Sequence, residues 1–205
     1  MIVSQPGIHP FRPTSEPTWE IARLFPDQGS WCEEEYLNMD TNRLLEYSHG
    51  YLEVLPMPTD MHQAILAFLF ELLQGFVKNK GLGTVRFAAL PVRLWEGKFR
   101  EPDLMFLLAK NMEKRNKKFW DGADLVMEVV SDENRRHDLE TKRFEYAKAG
   151  IPEYWIVDPR KAQMTVLRLD GGRYVEHGTF SKRQKATSVL LPGFCVDVAE
   201  ALRAE

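Results

Sequence analysis

The stretch Asp124–Ser131 reads Asp-Leu-Val-Met-Glu-Val-Val-Ser. A run this apolar and β-branched suits a central strand covered on both faces. Side chains alternate along a strand, so Asp124, Val126, Glu128 and Val130 share one face. Glu128 is then a carboxylate placed in a hydrophobic layer. Burying it is expensive unless a cation pairs with it. The chain is therefore expected to form a layered α/β fold whose central strand carries one charge in need of a partner.

The rest of the chain supplies the layers. Leu44–Leu55 reads as a hairpin turning at His49-Gly50. Met61–Lys80 places Ile65, Leu66, Leu69, Leu72, Leu73, Phe76 and Val77 at three- and four-residue steps, which predicts a helix with one buried face. Thr84–Trp95 and Glu101–Leu108 read as two antiparallel strands joined at Glu96-Gly97-Lys98. Arg135–Ala149 reads as a charged helix closed by Gly150, and Glu153–Val157 as another buried strand. Met164–Leu169 and Arg173–Phe180 form a hairpin around Asp170-Gly171-Gly172, and Ser188–Leu202 gives a short strand and a short helix. Ser30-Trp31-Cys32-Glu33 fits a capping box with Ser30 as N-cap, opening a helix that runs through about Leu37. Residues 1–29, with Pro6, Pro10, Pro13 and Pro17, read as a leader, and residues 30–205 as one domain. The order of elements describes a mixed β-sheet flanked by helices.

Composition narrows the function classes. Of 205 residues, 28% are charged and 44% hydrophobic, as in globular proteins, and the net charge of -3 excludes a uniformly basic nucleic-acid binder. Charge is uneven: residues 1–60 hold 10 acids and 3 bases, whereas Lys110–Lys118 holds five bases and one acid. Two cysteines give at most one bridge, and neither a Cys-x-x-Cys nor a helical His pair is present, which argues against a structural zinc site. No apolar stretch approaches 18 residues, so a cytoplasmic protein without a membrane span is expected.

Asp103 follows Pro102 at the start of the strand that precedes Glu128. If those strands are neighbours, the two carboxylates converge, and two hard anionic oxygens suit Mg²⁺. Taken singly, Pro-Asp is ordinary turn chemistry and a strand glutamate can face water at a sheet edge. On the following helix Lys142 lies beside the apolar stripe of Leu139, Tyr146 and Gly150. It can snorkel outward, or lean across the sheet toward the carboxylates and stabilise developing negative charge. Arg135 and Arg143 compete for that role, and Asp138 is placed to pair with Lys142.

Glu101-Pro102-Asp103-Leu104 followed by Asp124-Leu125-Val126-Met127-Glu128-Val129-Val130-Ser131 resembles the signature of the PD-(D/E)XK nuclease superfamily. The continuation Asp138-Leu139-Glu140-Thr141-Lys142-Arg143, then Tyr146-Ala147 and Gly150-Ile151-Pro152-Glu153-Tyr154-Trp155-Ile156-Val157-Asp158-Pro159, resembles the Uma-type "putative restriction endonuclease" family. Trp31–Leu37, Glu46, Gly50–Glu53, Pro56–Pro58, His62 and Leu191–Phe194 fit the same family, so the resemblance spans roughly residues 30–200. It implies a restriction-endonuclease-like core and hydrolysis of DNA phosphodiesters with Mg²⁺ or Mn²⁺. By position it makes Asp103 and Glu128 metal ligands, with the Val129 backbone carbonyl as a further one. The superfamily lysine two residues after the acid is replaced by Val130, and Lys142 is the candidate for a migrated lysine. Glu46 is a candidate extra acid and His62 a candidate rim residue, and each has a structural reading as well.

With a nuclease, Lys114, Arg115, Lys117, Lys118, Arg135 and Arg136 would face the phosphate backbone, although a solvated charged loop explains them too. Cutting two strands favours a homodimer, which would also cover Trp19 and Trp120 if these are exposed. Val130 keeps open a second reading, an inactive DNA-binding or assembly module on the same fold. A carboxylate-pair glycosidase is a third, for which no aromatic-rich groove speaks.

Overall fold

A computed structural model describes residues 26–41, 43–131 and 135–204. The expected leader, with Trp19, falls mostly outside them. The first helix, α1 (Glu33–Asn38), begins two residues later than the sequence suggests. The Ser30 N–H is tied back to Asp27 and the Trp31 N–H to Gly50, so the chain is not free to turn helical before Cys32. Cys32 is the N-cap, and Glu35, three residues on, accepts from its N–H at 2.8 Å.

The hairpin β1 (Leu45–Ser48) and β2 (Tyr51–Val54) follows, and then the 20-residue α2 (Asp60–Asn79), capped by Thr59. The expected long strand 84–95 is two strands: β3 (Gly83–Phe87) and β4 (Val92–Trp95). They enter different sheets, because β4 folds back on β5 (Lys98–Arg100) while β3 pairs with β6 (Leu104–Leu108). At Gly83 the close approach is required: a Cβ there would stand 1.9 Å from the Leu107 carbonyl oxygen, at a φ of +154°.

A 3₁₀ segment (Ala109–Lys114) leads through a loop to β7 (Leu125–Val129). A single wide π turn (His137–Thr141) runs into α3 (Lys142–Lys148), where the sequence suggests a uniform helix. β8 (Glu153–Asp158) returns parallel to β7. The hairpin β9 (Gln163–Asp170) and β10 (Arg173–Ser181) comes next. The chain closes with β11 (Lys185–Thr187), β12 (Cys195–Asp197) and α4 (Val198–Ala201).

Six strands form the central sheet in the order β10-β9-β8-β7-β6-β3, mixed because β7 and β8 alone run parallel within it. A second sheet has the order β2-β1-β5-β4. Every residue of β7 is buried, and its faces separate as alternation requires. Leu125, Met127 and Val129 enter the core under α2, while Val126 and Val130 enter the core under α3. Trp120 is 2% exposed: its backbone bonds with Pro91 and Arg93 seat it beside β4, so it is a core residue and needs no covering partner.

Glu153 opens β8 fully buried and accepts four hydrogen bonds, from Trp155 Nε1 (2.7 Å), Ser188 Oγ (2.6 Å), and the Val189 and Leu190 N–H groups (2.7 Å each). It fastens the tail to the sheet. Among the described residues no helix is long and apolar enough to cross a membrane.

Candidate active site

The antiparallel register of β6 and β7 sets the site. Leu104 pairs with Met127, so Asp103 and Glu128 are next in the same ladder. They stand where β6 begins and β7 ends. The parallel strand β8 ends on the same side, with Pro159 and Arg160 beyond it. Ligand sites in such sheets gather outside the carboxyl ends of the parallel strands. A cleft of about 560 Å³ opens there, lined by Asp103, Glu128, Lys142, Asp138, His62 and Glu101 among others.

Asp103 is oriented through Oδ2. The Val129 N–H donates to it at 2.7 Å, and His62 Nε2 lies 3.1 Å away. His62 comes from the first turn of α2, whose N-cap Thr59 accepts from the His62 N–H. Burial opposes a charge on this imidazole, but the hydrogen bond and charge of Asp103 outweigh it and raise the pKa.

Glu128 is 2% exposed and has a partner on each oxygen. Lys142 Nζ lies 2.9 Å from Oε2, and the Tyr146 hydroxyl donates to Oε1 at 2.6 Å. Lys142 and Tyr146 are one helical turn apart, so one face of α3 supplies both. Lys142 is also 3.1 Å from Asp138 and 3.9 Å from Glu46. One ammonium thus stands among three buried carboxylates. Burial pushes Glu128 up to about 8, the charges of Asp103 and Asp138 push the same way, and Lys142 pulls down. Burial likewise raises Asp138. Lys142 itself is held well above its ordinary value: burial lowers it, but Glu128, Glu46 and Asp138 outweigh that. The ammonium keeps its charge because three acids share it, so a carboxyl is the member that takes up a proton.

Glu46, on β1, is buried and paired with Arg100, and its Oε1 accepts from the Glu101 N–H at 3.2 Å. Burial would raise it, but Lys142, His137 and Arg100 bring it down to about 2. Arg100 also grips Glu145 at 2.7 Å. Sequence reasoning gave no role to Arg100, Glu101 or Tyr146. For Tyr146 the signal was its four-residue spacing from Lys142. For Arg100 the sequence offered no such signal, because it lies between the Glu96-Gly97-Lys98 turn and the strand expected from Glu101.

The donor chemistry fits a hard divalent cation. Asp103 adds repulsion to both Glu128 and Asp138, which a divalent ion between Asp103 and Glu128 would relieve. Another group, Glu46, Glu53 and His137, has ligand atoms within 4.8 Å of one another among the described residues. Arg100 already stands against both of those glutamates, 3.3 Å from Glu53.

The residues expected to meet a phosphate backbone are not brought together with the carboxylates. Lys114, Arg115, Lys117 and Lys118 follow the far end of β6, and five residues of strand at ~3.3 Å each separate that end from Asp103. Lys118 Nζ donates to the Leu37 carbonyl at 3.0 Å. Arg135, nearer the cleft, is paired with Asp158, and the exposed Arg136 with Glu140 at 3.1 Å.

A family profile described as "Putative restriction endonuclease" (Uma2) matches residues 33–199. Among solved structures, one titled as a putative nuclease belonging to DUF820, from Anabaena variabilis, superposes with a TM-score of 0.68 at 16% identity. The alignment covers 82% of this chain and 96% of that one, and shows a shared restriction-endonuclease-like fold. No curated protein matches the chain.

Proposed function

The chain belongs to the "Putative restriction endonuclease" family, and on that premise we propose that it is a metal-dependent endonuclease that hydrolyses DNA phosphodiester bonds, with Mg²⁺ or Mn²⁺ as the ion. The observation that carries the reading is the meeting of Asp103, Glu128 and Lys142 in one cleft, with Lys142 Nζ 2.9 Å from Glu128.

Asp103 and Glu128 would hold the ion, with the Val129 carbonyl as a further donor. Such an ion, when bound, lowers the pKa of a coordinated water and orients the scissile phosphate. His62 and the Val129 N–H fix the Asp103 carboxylate through Oδ2, and Tyr146 fixes Glu128 through Oε1. Lys142, 4% exposed and lining the cleft, is the group that would face negative charge as it develops on the phosphate. Its origin on α3 supplies what Val130 does not.

A second reading has its own observation. Both oxygens of Glu128 are already bonded, to Lys142 and Tyr146, which suits an inactive DNA-binding module. Nicking of supercoiled plasmid with Mg²⁺ or Mn²⁺, beside Glu128→Gln, separates the two. Cleavage by the wild type that falls at least ~10²-fold in the variant supports the endonuclease. DNA binding without cleavage by either protein supports the module, and equal cleavage by both refutes the role of Glu128.

A further inference from the structure

We propose that the cleft receives an unstacked base of single-stranded DNA, laid against an apolar shelf formed by Met57, Met61 and Phe87, so that unpaired DNA is the preferred substrate. The inference rests on the nuclease reading and names its substrate class.

Large apolar side chains exposed beside a charged site need a reason. Met57 is 73% exposed, Met61 59% and Phe87 50%, and all three line the same cleft as Asp103 and Glu128. Each is held by its surroundings. Met57 sits between Pro56 and Pro58, whose rings fix φ on both sides. Met61 is in the first turn of α2, behind the Thr59 cap. Phe87 ends β3 with its ring edge-on to Phe70, centroids 5.1 Å apart at 87°. The backbone that carries the shelf is therefore in place before a ligand arrives, while the two exposed thioether side chains can adapt to its shape.

The chemistry of the two walls differs. Lys142 and the carboxylates suit a phosphate and its ion. Thioethers and an aromatic ring suit the π-face of a base, and every base has one. A phosphate held by the polar lining leaves its own base within reach of the apolar lining, since sugar, phosphate and base belong to one nucleotide. The volume, about 560 Å³, lies in the ~300–1,000 Å³ range that encloses small ligands, which is room for a splayed nucleotide. A duplex would have to extrude the base and lose its stacking, whereas an unpaired strand has less to lose. The basic run 110–118 follows the other end of β6, five strand residues from Asp103.

The test measures binding and cleavage separately. Binding is read by anisotropy and 2-aminopurine fluorescence in Ca²⁺, using one DNA oligonucleotide sequence as a single strand and as a full duplex. The single strand is expected to bind about tenfold tighter. Met57→Ser/Met61→Ser/Phe87→Ser is expected to lose roughly tenfold for the single strand and less than about twofold for the duplex. Met57→Ser/Met61→Ser, at the two most open positions, gives the same direction without touching the Phe87–Phe70 pair. Equal affinity for both DNA forms, or single-strand binding untouched in both variants, overturns the shelf. Cleavage of both forms at equal rates, indifferent to the variants, also overturns it and leaves the nuclease standing. The expected binding pattern without cleavage in Mg²⁺ or Mn²⁺ supports the shelf and refutes the nuclease.

Discussion

Lys142→Met removes a charge and keeps most of the volume, which isolates what one ammonium does among three acids. Lys142 is 4% exposed and stands 2.9 Å from Glu128, 3.1 Å from Asp138 and 3.9 Å from Glu46. Taking one partner from a buried ion pair costs about 3–5 kcal/mol, because the remaining charge is left without compensation. At ~2–4 °C per kcal/mol for a domain of this size, Tm should fall by roughly 6–20 °C at pH 7. The loss must also depend on pH. Glu128 already binds its proton more tightly in the folded protein, at about 8 against an ordinary 4.5, and losing Lys142 removes the contribution that pulls it down. A carboxyl whose folded pKa is raised contributes stability that is full below the unfolded pKa and is lost as pH rises toward the folded value. The deficit of Lys142→Met against the wild type should therefore be level between pH 5 and 7, where both proteins keep Glu128 protonated, and grow above about pH 8, where only the wild type has released that proton. Urea unfolding at pH 5, 7 and 9, in EDTA, measures it. A deficit constant within ~0.5 kcal/mol across that range would refute the shared-ammonium account, whatever its size.

Two further predictions concern the frame of the cleft. Gly83→Ala places a Cβ against the Leu107 carbonyl and should cost more than about 2 kcal/mol in urea unfolding, far above an ordinary exposed Gly→Ala change; unchanged stability would mean β3 and β6 are not so close. Thr59→Ala removes the α2 N-cap and should cost ~1 kcal/mol, with plasmid nicking reduced more than in a control variant of equal stability, because His62 and Asp103 are aligned by that turn.

What could be read from the chain alone depended on whether the information was local. β7 and β8 were legible because burial on both faces leaves few polar residues to misread. The neighbourhood of Asp103 and Glu128 was legible because consecutive short strands pair. Lys142 was legible from helical phase, and the π turn preserves its four-residue relation to Asp138. The break between β3 and β4 was not legible: it exists because β4 takes β5 as its partner and β3 takes β6, a choice made in space. The start of α1 at Cys32 depends on Gly50, a residue in the next hairpin. The position of the run 110–118 escaped for a similar reason. Sequence distance to Asp103 is short, but one strand carries the chain across the sheet. Glu101 and Arg100 were hidden by their neighbours Pro102 and Asp103, whose motif explains itself without them.

Glu153 gives the assembly of this cleft an order in time. Three of its four hydrogen-bond donors come from residues 188–190, some 35 positions downstream. A chain emerging from a ribosome delivers β7, α3 and β8 first, at a stage when the Glu153 carboxylate has only the indole of Trp155 to satisfy it. In the complete fold that carboxylate is buried, so three of the four donors that offset its burial come from the tail. The strand ends that frame Asp103, Glu128 and Lys142 gain this lock only when residues 188–190 are in place.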